Sequence, residues 1–185
     1  DGAILVGADL TDAVLVGVDL TSVFRYTNLD GEDLRGVSLV GVNLRGADLR
    51  LIDWSGLNLS GAHLSKAKLT GAILTGADLT GADLHGASLA GANLAGSDLT
   101  GSDLREADLS SAILVDAILV DAVVTGASMA GALLVGADLA GLDLVTVDLS
   151  DAIVSTYELR NVAVLPEGLE GIGWAGMDLR GRDFS

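Results

Sequence analysis

Two histidines and a large excess of carboxylates are what this chain of 185 residues offers to chemistry. His63 and His85 each meet a charged residue twenty positions on, Asp83 and Arg105 respectively. A His–Asp contact of that kind could move a proton or begin a metal site. It lacks a third ligand, a nucleophile and a concave pocket, so both residues are expected to be ordinary surface histidines. The chain has no Cys, which removes disulfides, thiolate nucleophiles and Cys-ligated metals together. Glycine is abundant, at 25 residues, but its spacing matches no phosphate-binding loop. The expectation is therefore a protein with no catalytic residues, no metal site and no cofactor, and not an enzyme.

What must position every side chain is a repeat of five. Leu5, Leu10, Leu15 and Leu20 are five apart, the phase slips by one residue, and from Phe24 every fifth position is apolar through Phe184. Two residues before each of these centres stands a second small apolar residue, most often Ala, as at Ala62, Ala67, Ala72 and Ala77. Two residues after the centre stands Gly in most repeats, as at Gly71, Gly76 and Gly81. The unit is Ala-Asp-Leu-Thr-Gly, seen unadorned at Ala77 to Gly81.

A period of five fits neither a helix at 3.6 nor a continuous strand at 2. An α-helix would advance the Leu set by about 140° net per repeat and form no stripe. A leucine-rich repeat needs a longer period, of 20–29 residues. Within each unit, however, Ala and Leu alternate with Asp and Thr as a short strand does, and Gly supplies the positive φ of a tight turn. The chain should turn a corner every five residues. Four units then close a square coil of 20 residues, and successive coils pair as a parallel ladder.

This A(D/N)LXX signature, carried over essentially the whole chain, resembles the pentapeptide repeat family in its Leu-centred form. The resemblance implies an all-β fold, a right-handed quadrilateral parallel β-helix with Leu and Ala ladders filling a thin core. About nine coils at roughly 4.8 Å each would make a rod of about 43 Å. Each coil is stabilised through its neighbours, so both ends are edges that invite pairing. A second copy, a partner or omitted sequence is expected to cover the C-terminal one. The chain also begins at Asp1 with no initiator Met and no signal-like segment, so preceding sequence is expected to have been removed or left out. One domain over residues 1–185 is expected, with a register slip at 21–24 and an irregular coil near 162–172.

Charge is unevenly placed. The 26 Asp and Glu against 10 Lys and Arg give −16, with residues 1–23 contributing −4, 24–68 contributing +1, 69–159 contributing −12 and 160–185 contributing −1. Direct nucleic-acid binding through a basic surface is excluded. No apolar stretch approaches a membrane span, the longest being cut by Asp116 and Asp121. A soluble chain is expected, with the cytoplasm favoured. At 20 residues per coil, Asp78, Asp98, Asp138 and Glu158 stack on one side and Asp83, Asp103 and Asp143 on the next, with no Lys or Arg expected nearby to relieve them. The family resemblance implies a use for such rows. Some members imitate duplex DNA in width, shape and charge, and inhibit or protect DNA gyrase, a type II topoisomerase.

A second surface feature is apolar. On one side the residues flanking successive centres are Ile113 and Val115, Leu133 and Val135, then Ile153, with Ile118 and Val120 around the corner. A contiguous exposed cluster marks an interface. The resulting expectation is a non-enzymatic protein-interaction scaffold, most simply a homodimer, with an acidic DNA mimic directed at gyrase as the alternative.

Overall fold

The computed structural model describes residues 38–154, together with 159, 162–164 and 173–174. The expected slip at 21–24, Glu158 and most of the irregular coil near 162–172 lie outside the described residues. Within them the chain is a right-handed quadrilateral parallel β-helix. Single-residue parallel bridges recur at a spacing of 20: Ser38 pairs with Asn58, Asn58 with Asp78, Asp78 with Asp98, Asp98 with Ile118 and Ile118 with Asp138. Three further rows follow the same rule from Asn43, Asp48 and Asp53, so each coil has four sides. Among the described residues only Ile153–Val154 and Gly173–Trp174 extend to two-residue strands, paired in parallel. We number the sides by the residue before each centre: side one carries Asp78, side two Asp83, side three Ser88 and side four Asn93.

The reason five residues suffice is visible in the amide accounting of one unit. Leu79 donates to the Asp98 carbonyl at 2.7 Å, Gly81 to Thr100 at 2.9 Å, and Asp83 to Ala62 in the preceding coil at 2.9 Å. Ala82 closes the corner onto Leu79 at 3.0 Å, an i to i+3 turn whose third residue, Gly81, has φ of 63° as a type II turn requires. That leaves the Thr80 amide, which donates to Asp78 Oδ1 at 3.0 Å. Every backbone donor of the repeat is thus matched, the last by a side chain.

The core is a single file. Leu centres from Leu44 to Leu119 and the Ala ladder beside them are buried, with Trp54 filling one centre. Ser97 and Ser102 replace Ala in two units, and Ser97 Oγ donates to the Leu94 carbonyl at 2.8 Å. One apolar centre departs from the five-residue count: Val164 pairs with Asp143, 21 residues earlier, and is 44% exposed. The expectation that it points inward is corrected, because the amides of Ala163 and Val164 both reach the Leu142 carbonyl, at 2.9 and 3.3 Å, a bulge that sets Val164 opposite Asp143 in the outward register.

Candidate functional site

Each side presents two outward residues per coil, one before and one after the buried centre. Where the first is Asp or Asn, its Oδ1 accepts the amide two residues on, an Asx turn that caps the corner. This recurs at Asp53, Asn58, Asp78, Asp83, Asn93, Asp98, Asp103, Asp108, Asp138, Asp143 and Asp148, with N to O distances between 2.9 and 3.1 Å. Acidic residues at this position are therefore structural before they are anything else. The sequence reading missed this role. The signal was present in the pairing of Asp or Asn with a turn residue two positions later.

The acidic rows stand in the predicted register. Asp78 pairs with Asp98 on side one, and Asp83 with Asp103 on side two. With Oδ1 engaged in the turn, Oδ2 of Asp78, Asp83 and Asp98 has no hydrogen bond or ion pair among the described residues. The rows differ from expectation in one respect. Asp103 is not unrelieved, because Arg105, two residues on, donates Nε to Oδ1 at 2.8 Å and Nη2 to Oδ2 at 2.5 Å. The hydrogen bond from Arg105 holds the Asp103 carboxyl below the usual value, against a smaller upward pull from burial. As the count of 20 gives, the rows are interrupted in one coil, where side one carries Ile118 and side two Val123, before Asp138 and Asp143 resume.

That interruption is part of the apolar feature. On side four Ile113 pairs with Leu133 and Leu133 with Ile153, an unbroken ladder across three coils. Ile113 is 39% and Ile153 41% exposed, while Leu133 is half-buried between them. Val115 and Val135 are half-buried on the far flank of the same side, and Val120 follows Ile118 around the corner. Val123, 45% exposed, carries the band onto side two. None of these residues can cap a turn, so the amides of Val115, Val120, Thr125 and Val135 lack the acceptor that Asp or Asn supplies elsewhere. The coil of residues 118–137 has Ile118, Val123, Ser128 and Leu133 in its four capping positions, with no carboxylate at any of them.

The histidines are not brought into a catalytic arrangement. His63 and Asp83 are backbone bridge partners, and the bond between Asp83 and His85 is from the His85 amide, at 3.1 Å. Among the described residues no imidazole is bonded to a carboxylate, and no group of His, Asp and Glu could hold a metal ion.

The family model for pentapeptide repeats matches in eight copies, over residues 1–24, 22–53, 58–94, 87–126 and 117–155. A pentapeptide repeat protein from the Arabidopsis thaliana thylakoid lumen is 34% identical, over 58% of this chain and 71% of that one, with a TM-score of 0.43. HetL, a pentapeptide repeat protein involved in heterocyst differentiation regulation in the cyanobacterium Nostoc, is 30% identical, over 82% of this chain and 75% of that one, with a TM-score of 0.38. A pentapeptide repeat protein from the cyanobacterium Cyanothece is 23% identical, over 66% of this chain and 91% of that one, with a TM-score of 0.51. No curated protein matches the chain.

Proposed function

Since the chain belongs to the pentapeptide repeat family, we propose that it is a non-enzymatic protein-interaction scaffold whose apolar band seats a protein partner, in the simplest case a second copy. The observation that carries this reading is the ladder Ile113, Leu133 and Ile153. At each of these positions the fold gives up a turn cap and leaves aliphatic surface in water, two local costs repeated on adjacent coils. A partner that covers the ladder offsets both. Three coils at about 4.8 Å make a strip only about 10 Å tall. A strip of that height falls short of the roughly 800 Å² per partner that a standard stable interface buries, which favours a reversible association. Replacing Ile113 and Leu133 by Lys should leave monomers in light scattering at about 500 mM NaCl, where contacts between exposed charges are screened. An unchanged mass would remove the band from consideration.

A second reading is supported by the carboxylates of Asp78, Asp83 and Asp98, whose Oδ2 atoms have no hydrogen bond or ion pair among the described residues and which stand on two adjoining sides at the coil spacing. An acidic rod of this kind competes with duplex DNA for a basic surface, as a gyrase-directed mimic would, and such binding weakens steeply with salt. Its test is supercoiling by DNA gyrase at two salt concentrations, with Asp78, Asp83, Asp98 and Asp103 changed to Asn. The Asn variants keep the turn caps, so their folding is a built-in control. Inhibition that survives in them would refute mimicry.

A further inference from the structure

The charge map of the described coils has a second pole that neither surface above uses. Arg45, Arg50, Lys66 and Lys68 lie on two consecutive coils, around the corner between sides two and three, and all four are exposed. Asp48 is the one carboxylate among them. It is held by Arg50 through Nε and Nη2, both at 2.7 Å, with Lys68 Nζ at 3.6 Å. Those contacts, the Arg50 hydrogen bond first, hold its carboxyl below the usual value. Arg45 and Lys66 have no ion pair among the described residues. Lys66 occupies a corner at φ of 59°, a conformation usually left to glycine, and its Cγ lies 3.6 Å from where a Cβ on Gly86 would stand in the next coil. The corner residues on the coils either side, Gly46 and Gly86, carry no side chain to cover it.

From residue 69 to 154 the balance reverses: Arg105 is the only Lys or Arg, against twelve Asp and Glu, among them Asp78, Asp83, Asp98 and Asp103. The cationic corner and the carboxylates of sides one and two rest on the same ladder, so both repeat at the coil spacing of about 4.8 Å. Two rods laid side by side with parallel axes therefore bring cations and carboxylates together coil by coil. The long-range repulsion of two chains of −16 does not prevent this, since at physiological ionic strength charges more than about 8 Å apart are largely screened and local complementarity decides.

We propose that the corner formed by Arg45, Lys66 and Lys68 is a docking surface for the acidic sides of a second copy of this chain, engaging Asp78 and Asp98. The contact joins two different surfaces, so it is heterologous: the second copy's own cationic corner stays free to bind a third, and the assembly grows open-ended. It is independent of the apolar band.

The test is sedimentation velocity of the chain at about 150 mM and about 500 mM NaCl over a range of protein concentration. Wild type is expected to show growth with concentration at low salt that collapses at high salt. Arg45→Gln, Lys66→Gln and Lys68→Gln combined should remove that growth, each cation contributing about two- to five-fold to the association constant. Asp78→Asn with Asp98→Asn should remove it equally, with the turn caps intact. Mixed together, these two variants have one productive contact between them and should stop at a one-to-one pair. A variant with Ile113→Asn and Leu133→Asn should retain the salt-sensitive growth, which separates failure of this contact from failure of the apolar one. Absence of salt-sensitive growth in wild type, its persistence in either charge variant, or a mixture that remains monomeric would overturn the proposal.

Discussion

The coil of residues 78–97 and the coil of residues 118–137 share one backbone and differ at the position before each centre. The first presents Asp78, Asp83, Ser88 and Asn93, three of which cap a turn through Oδ1. The second presents Ile118, Val123, Ser128 and Leu133, and only Ser128 offers a side-chain acceptor, to the Ala130 amide at 3.5 Å. Their cores are equivalent, with Leu79, Leu84, Leu89 and Leu94 in one and Leu119, Val124, Met129 and Leu134 in the other, all buried. The difference teaches that the ladder and the Leu file hold the coil, while the capping position is free to serve a surface. A solenoid permits this because each coil answers only to its neighbours.

The corners sharpen the same contrast. Nothing lies within 4 Å of a Cβ added at Gly81, whereas one added at Gly136 would stand on Asp116 Oδ1 of the preceding coil. Gly81→Ala should cost about 1–2 kcal/mol for the left-handed backbone alone. Gly136→Ala should cost about 1–3 kcal/mol more through the clash. Denaturant unfolding of both, with Asp116→Gly added to the second, checks this: the added change should recover the excess. Equal losses at the two glycines would break the comparison.

Capping comes next in size. Asp98→Ala should destabilise the chain by about 1 kcal/mol, because the Thr100 amide loses its acceptor at 2.9 Å, while Asp98→Asn should be nearly neutral. Thermal melts of the two variants separate cap from charge. If Asn is as harmful as Ala, the carboxylate rather than the hydrogen bond matters.

The smallest effect is with pH. Asp48 and Asp103 are lowered chiefly by hydrogen bonds from Arg50 and Arg105, and Asp148 by the Ser150 amide, from the ordinary value of 3.8. A carboxyl whose pKa is depressed in the folded state lends stability that is present above its unfolded value and lost as pH falls through the folded one. Stability should accordingly decline as pH drops below about 4, and less steeply when Asp48 and Asp103 are both Asn. Solvent-exposed pairs of this kind contribute little each.

Much of this was legible in the sequence. The period of five with Leu, Ala and Gly in fixed phase specifies the coil, and the bridges from Ile113 through Leu133 to Ile153 follow from adding 20. What a residue count could not reveal is geometry that depends on the turn itself. The role of Asp98 as a cap requires knowing that the Thr100 amide points at it. The relief of Asp103 by Arg105 requires both to lean outward from one strand. Val164 stands on the right count for the core, and the bulge at Ala163 and Val164, which no count reveals, turns it outward. Lys66 stood in the glycine position, a departure visible in the sequence whose exposure emerges only when Gly46 and Gly86 are stacked around it.

The central claim is that the apolar residues of side four serve contact rather than folding. It is tested most directly by changing Ile113 and Leu133 together to Asn, residues that cap the turns and add no charge, and measuring mass by light scattering at about 500 mM NaCl, where the charge contact is screened, alongside unfolding free energy. The account predicts that self-association weakens by about tenfold or more while stability stays within about 1 kcal/mol of wild type, the regained caps offsetting lost side-chain packing. Unchanged association, or a loss of several kcal/mol with the mass unaltered, would contradict it and return these residues to the core.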